Sequence, residues 1–266
     1  MLLAMDVGNT NISIGLFDDG RMVHTWRIAT DRRKTDDEFE IIIHQLFDRA
    51  GIGLGDVTDV AIGTVVPSLR DVLSRVSRHL FGVEPWVLDS GKANSQVVLK
   101  VDRPEEVGAD RIAASIGAYR RFGGPLIVID FGTATTFDCM DEEGAYLGGA
   151  IAPGVEIAAE ALFARTAKLP RVEYTAPPRV IGKNTVDSLR SGIIFGYVGM
   201  VEGIIRRMAK ELGKASPTVV GTGGLCPTIA EHTEAIHHVI PTLVLEGLHA
   251  LYQMDPRSTA SGGNVP

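Results

Sequence analysis

The chain carries one short device twice, and the repeat limits what it can fold into. An apolar run, Leu2–Met5, ends at Asp6 and is followed by Val7-Gly8-Asn9-Thr10-Asn11. A second apolar run, Leu126–Ile129, ends at Asp130 and is followed by Phe131-Gly132-Thr133-Ala134-Thr135-Thr136. Asp6 and Asp130 are 124 residues apart, and so are Gly8 and Gly132, and Gly20 and Gly144. The match is partial, since Thr10 aligns with Ala134 and Ser13 with Phe137. Three fixed points at one offset imply two copies of a strand, an acid–glycine turn and a hairpin. The expectation is an α/β protein of two similar domains, residues 1–120 and 121–266, with the tail 257–266 disordered.

The rest of the pattern fits alternating strands and helices. Asp18-Asp19-Gly20 between apolar-rich runs is a hairpin signal. Phe39, Ile42, Ile43, Leu46 and Phe47 have helical spacing within Asp36–Ala50. Strands are expected over Asp59–Val65, Glu84–Leu88 and Leu147–Pro153. Helices are expected over Pro67–Phe81, Pro104–Phe122, Val155–Thr166 and Val186–Leu212. Thr218-Val219-Val220 reads as a strand entering the glycine turn Gly221-Thr222-Gly223-Gly224.

Composition narrows the partners. The net charge is −7 at pH 7, which disfavours a nucleic-acid partner, because phosphate backbones select basic surfaces. Arg32-Arg33-Lys34 is flanked by acids and reads as a solvated loop. No apolar run approaches the ~18–20 residues that span a bilayer, so no membrane partner is expected. The N-terminus has no charged region followed by a cleavage site, so no signal peptide is read. Cys139 and Cys226 have no metal-ligand spacing and read as buried thiols. His237-His238 reads as a loop or strand end. These features together suggest a cytoplasmic protein.

The paired turns suggest phosphate chemistry. A glycine turn after a strand leaves backbone N–H groups free and admits a phosphate closely. Thr10, Ser13, Asn9 and Asn11 add hydroxyl and amide groups. A carboxylate helps there only if a cation separates it from the phosphate, and Mg²⁺ suits one carboxylate with waters and phosphate oxygens. One such turn is equally an Asx turn at a strand end; two copies favour a nucleoside triphosphate site. The Gly221–Gly224 turn is either an ordinary glycine turn or a platform for a purine. Gly108-Ala109-Asp110-Arg111 offers an acid to engage the acceptor, although Asp near a helix start is also what the helix dipole favours.

In order, "DVGNTN", "VGADR", "DFGTATTFD", "GGAIAPG" and "GTGGL" resemble type III pantothenate kinase, from Leu2 to about Tyr252. "GADR" and "GGAIAPG" are the specific part. This family sits in the acetate and sugar kinase, heat-shock 70 and actin superfamily. The resemblance implies two ribonuclease H-like domains with an interdomain cleft, and transfer of the ATP γ-phosphate to pantothenate in the first step of coenzyme A synthesis. It implies that Asp6, Val7, Gly8, Asn9, Thr10, Asn11, Ile12 and Ser13 form the first phosphate motif, with Asp6 reaching Mg²⁺ through water. Thr133 is implied as a phosphate contact, and Asp130 as the ligand of a monovalent cation, K⁺ or NH₄⁺. Gly108, Ala109, Asp110 and Arg111 are implied to bind pantothenate, with Asp110 as proton acceptor. Thr185 is implied to reach the substrate across a homodimer interface.

One stretch departs from the family pattern. Many members have a Tyr and then Asn-Pro before GADR, where this chain has Val101-Asp102-Arg103-Pro104. Other readings are another small-molecule kinase of the superfamily, or a non-catalytic nucleotide-binding regulator. Asp6, Asp110 and Asp130 together favour an enzyme.

Overall fold

The computed structural model describes residues 1–88, 96–166, 168–214 and 216–255. The chain divides into two compact units. The first is Met1–Gly117 with the chain from Leu243 onward, and the second is Ala118–Thr242. The tail 257–266 lies outside the described residues.

The first unit holds β1 (Leu2–Val7), β2 (Asn11–Asp18), β3 (Arg21–Ala29), β4 (Asp59–Thr64) and β5 (Trp86–Leu88). The sheet order is β3-β2-β1-β4-β5. β1 pairs antiparallel with β2 and parallel with β4. The β2–β3 turn is Asp19-Gly20, with φ of 46° and 77°. Positive φ at both central residues is the two-residue hairpin turn that Asp-Gly favours.

Helices α1 (Asp36–Ala50) and α2 (Pro67–Phe81) cover the sheet. A capping box of Thr35 and Glu38 starts α1, and left-handed Gly51 (φ 69°) ends it. Both signals are local, which is why sequence reading places these ends correctly. The core joins Leu3, Met5, Ile12, Ile14 and Leu16 of the sheet to Phe39, Ile43, Phe47, Leu69 and Leu73 of the helices.

Helix α3 (Ala109–Phe122) begins later than the expected Pro104, because Pro104–Glu106 form a separate 3₁₀ turn. The second unit then repeats the sheet with β6 (Leu126–Phe131), β7 (Ala134–Met140), β8 (Tyr146–Pro153), β9 (Thr218–Thr222) and β10 (His238–Val239). Its order is β10-β9-β6-β7-β8, again with a parallel strand beside the first strand of the hairpins. The repeat read from Asp6 and Asp130 is thus a repeat of whole sheets.

Helices α4 (Val155–Arg165), α5 (Thr185–Glu211) and the short α6 (Cys226–Ala230) belong to this unit. Cys139 and Cys226 are buried free thiols, and burial pushes both up to about 12, so neither is a reactive thiolate. Helix α5 corrects the expectation that no segment is long and apolar enough to cross a membrane. It has 27 residues and a window of mean hydropathy 1.2. Its buried Ile193, Ile194, Val198, Val201 and Ile205 pack with Ile127, Ile129 and Phe137 of the sheet, as in the core helix of a globular unit.

Helix α7 (Leu243–Met254) departs from the expected division. By sequence it follows the second unit, but it packs against the first. Glycines make the contact possible. A Cβ at Gly63 would lie 2.8 Å from Leu248 Cδ2, and one at Gly247 would lie 1.7 Å from the Ala113 carbonyl oxygen. Tyr252 hydrogen-bonds Asp59, and Trp86 Nε1 donates to Asp255 Oδ2 at 2.7 Å, which ties the end of the helix to β4 and β5.

Candidate active site

In the first unit the chain leaves β1 at Val7 and returns in β2 through Gly8–Asn11. Gly8 N–H donates to the Asn11 carbonyl at 3.0 Å, closing the turn on itself. Thr30 fastens it from outside, its Oγ1 donating to the Gly8 carbonyl at 2.7 Å and its N–H to the Thr10 carbonyl at 2.9 Å. Asn9, Thr10 and Asn11 are exposed, and Asp6 is half-buried. Val7 and Ile12 are core residues, 0% and 1% exposed, so any contact they make with a ligand runs through their backbone.

The same strand ends receive the second motif. Val65, just past β4, donates its N–H to the Val7 carbonyl at 3.2 Å. Its Cγ1 would lie 3.8 Å from a Cβ on Gly108. Residues about 100 positions apart in sequence are therefore neighbours, with Val65 between them. Nothing in sequence reading singled out Val65, because its part is to join two strand ends.

Asp110 occupies the first turn of α3. Its Oδ1 accepts the Arg111 backbone N–H at 2.8 Å. Burial pushes the carboxyl above its ordinary value of 3.8, against the opposing pull of the Arg111 N–H and charge. Packing at the helix start is what raises it. A Cβ at Gly108 would lie 2.5 Å from Asp110 Oδ1, so a side chain there would displace the carboxylate.

In the second unit, Asp130 ends β6 beside Thr136 of β7 and Thr222 of β9. The turn is one residue shorter than its counterpart, with Gly132 N–H donating to the Ala134 carbonyl at 3.0 Å. Thr133 is exposed at its tip. The glycine turn after β9 lies beside Asp130. Gly223 has φ of 92° and lies against the Asp130 carboxylate, where a Cβ would come 2.5 Å from Oδ1. Thr185 is exposed in the first turn of α5, next to its N-cap Asn184. It belongs to the second unit, whereas Gly108–Arg111 belong to the first.

The donors suit hard cations. Among the described residues no group of three or more His, Cys, Asp or Glu could hold a metal. An ion at Asp6 would therefore draw on water and phosphate oxygens, as Mg²⁺ does. Asp130 offers a carboxylate with threonines paired on both sides, oxygen chemistry that fits a monovalent cation. A separate cavity of about 480 Å³ is lined by Glu202, Arg206, Lys210, Val219 and His237, among others, and by none of these residues.

The family described as type III pantothenate kinase has a profile that matches residues 2–207. The chain belongs to this family. A type III pantothenate kinase from Geotalea uraniireducens is 49% identical over 253 residues, 95% of this chain and 98% of that one. A Campylobacter jejuni protein described as a Baf family transcriptional activator matches in fold with a TM-score of 0.61 and 18% identity, over 96% and 99% of the two chains. Component A of (R)-2-hydroxyglutaryl-CoA dehydratase from Acidaminococcus fermentans has a TM-score of 0.54 at 17% identity, over 94% and 96%. At these identities the likeness is one of fold. The fold is the actin-like ATPase arrangement of two similar ribonuclease H-like domains.

Proposed function

We propose that this type III pantothenate kinase transfers the γ-phosphate of ATP to the primary hydroxyl of pantothenate, giving 4′-phosphopantothenate for coenzyme A synthesis. The observation that carries this reading is the juxtaposition of Asp110 with the Gly8–Asn11 turn through Val65. An acid that can take a hydroxyl proton sits in the segment beside a turn suited to phosphate.

The hydroxyl oxygen forms the new bond to phosphorus, the bond to the ADP oxygen breaks, and the hydroxyl proton passes to Asp110. Such transfer is loose and charge-dominated, so positioning and cations supply most of the acceleration. Asp6, Gly8, Asn9, Thr10, Asn11 and Ser13, with the backbone of Val7 and Ile12, hold the phosphates. Thr133 adds a phosphate contact. Mg²⁺, reached from Asp6 through water, supplies charge neutralisation when bound. Asp130 holds K⁺ or NH₄⁺, with Gly223 packed against its carboxylate. Gly108, Ala109 and Arg111 bind pantothenate, and the Arg111 guanidinium suits its carboxylate.

The enzyme works as a cytoplasmic homodimer, with Thr185 reaching the partner's pantothenate. Exposed apolar side chains in the second unit support an interface there. Ile151 is 66% exposed, Val180 64% and Ile181 80%, and Val186 lies beside Thr185. The test is a coupled assay of ADP release with and without pantothenate, in the presence and absence of K⁺. ADP release that ignores pantothenate would overturn the reading.

A further inference from the structure

The run Arg32-Arg33-Lys34 was expected to be a solvated loop, and the structure separates its members. Arg33 folds back on its neighbour, with Nε 3.2 Å from Asp31 Oδ1 and a side chain 90% exposed. Arg32 turns the other way. Its Nη2 donates to Asn9 Oδ1 at 2.7 Å, inside the first phosphate turn. The backbone leading to it is held in place, because Thr30 makes its two hydrogen bonds to Gly8 and Thr10.

We propose that Arg32 is a phosphate-binding residue of this site and contacts the terminal phosphates of the nucleotide. The inference rests on the kinase reading above and adds a residue to it. The turn itself carries one charge, the negative Asp6, and no cation. A transferring phosphoryl group spreads negative charge over its oxygens and is stabilised by a cation already in place. Arg32 is a cation bonded to the turn. Guanidinium has five N–H donors, and one bond to Asn9 leaves a fork facing outward. Among the described residues Arg32 has no carboxylate partner. The Asn9 amide oxygen orients the guanidinium without neutralising it, which an acid there would do. The terminal phosphates are the ones concerned, because the same turn adjoins the Asp110 segment through Val65, and Asp110 serves the acceptor.

The test is calorimetric titration of the full chain with AMP, ADP and the imido analogue of ATP, each with Mg²⁺. The variants are Arg32→Ala, Arg32→Lys and, as a neighbour control, Arg33→Ala. Arg32→Ala should weaken the imido analogue about tenfold to a hundredfold, the size of a charge-assisted contact. AMP should be unaffected, Arg32→Lys should recover part of the loss, and Arg33→Ala should match the unmutated chain. In turnover, Arg32→Ala should lower kcat and leave the KM for pantothenate unchanged. The side chain is exposed, so the variant should fold, and an unchanged thermal melt would show it. Undiminished binding of the imido analogue to Arg32→Ala would overturn the proposal, as would equal loss of AMP and the analogue. Failure of the function is separable. A chain that binds the analogue through Arg32 without phosphorylating pantothenate loses its acceptor but keeps this contact. A chain whose affinity does not rise from AMP to the analogue loses the contact, while pantothenate turnover still judges the function.

Discussion

The two units start from one plan and diverge at the turn after their first strand. In the first, four residues separate the ladder partners Val7 and Ile12. In the second, three residues separate Phe131 and Thr135. The longer turn displays Asn9, Thr10 and Asn11 and takes the Arg32 hydrogen bond. The shorter turn displays Thr133, and its aspartate packs against Gly223. An open, polar loop of this kind suits an anion, and a carboxylate buttressed by backbone suits a small cation. Duplication thus supplies two strand-end aspartates, each followed by a different loop.

Their coverings differ too. The first unit has two 15-residue helices and gains α7 from the far end of the chain. The second carries the 27-residue α5 and leaves Ile151, Ile157, Val180 and Ile181 exposed. The first unit exposes Val23, Ile41 and Val98 as well, so exposed apolar side chains occur in both.

The comparison can be broken first at Asp110. Asp110→Asn should lower turnover by about two to four orders of magnitude, the range for losing a general base, with ATP affinity retained. Its raised carboxyl also predicts a pH effect. The folded chain holds this proton more tightly than the unfolded chain, whose carboxyl ionises near 3.8. Stability is therefore lost as pH rises from that value through the raised one, and the variant should melt higher than the unmutated chain at pH 7 but not near pH 3. The acid limb of kcat should lie above the ordinary aspartate range. Near-normal turnover in the variant would remove Asp110 from the chemistry.

The second unit should respond differently. Asp130→Ala should cost about tenfold to a hundredfold in turnover and abolish the response to K⁺ at constant ionic strength, the scale of one electrostatic contact. Asp6→Ala should be slow and still K⁺-responsive. An identical K⁺ profile for both variants would erase the distinction between the turns.

Gly247→Ala probes the asymmetric covering. Its Cβ would meet the Ala113 carbonyl oxygen at 1.7 Å, so α7 must shift from α3, at about 3 kcal/mol. Chemical denaturation should show the loss, and an unchanged midpoint would mean that α7 is not seated on the first unit.

The mildest effect concerns assembly. Mixing Asp110→Asn chains with Thr185→Arg chains should restore about a quarter of normal activity, since random pairing gives about half heterodimers with one intact site each. Mixed dimers no more active than either parent would show that Thr185 does not serve the partner's site.

Much of the fold was legible in short stretches. Apolar runs ending in Asp-x-Gly, the Asp19-Gly20 turn and the helical spacing within Asp36–Ala50 are local signals, and the structure agrees with them. The 124-residue offset exposed the duplication because each copy spells the same turn. The start of α3 was misread because Pro104 opens a 3₁₀ turn as readily as a helix.

What the sequence determined by itself was the order of the main strands and helices up to β9, the duplicated aspartate turns and the family, since each depends on residues close together in the chain; the helices after β9 were not read. Tertiary structure alone decided which unit receives α7, which neighbour Gly223 meets, and which of three adjacent cations reaches the phosphate turn. It also set the direction of the Asp110 shift. The physical reason is that an apolar stripe, a glycine or an arginine states what it can pack against or bind. Only the folded backbone brings a particular partner within the few ångströms over which packing and hydrogen bonding act.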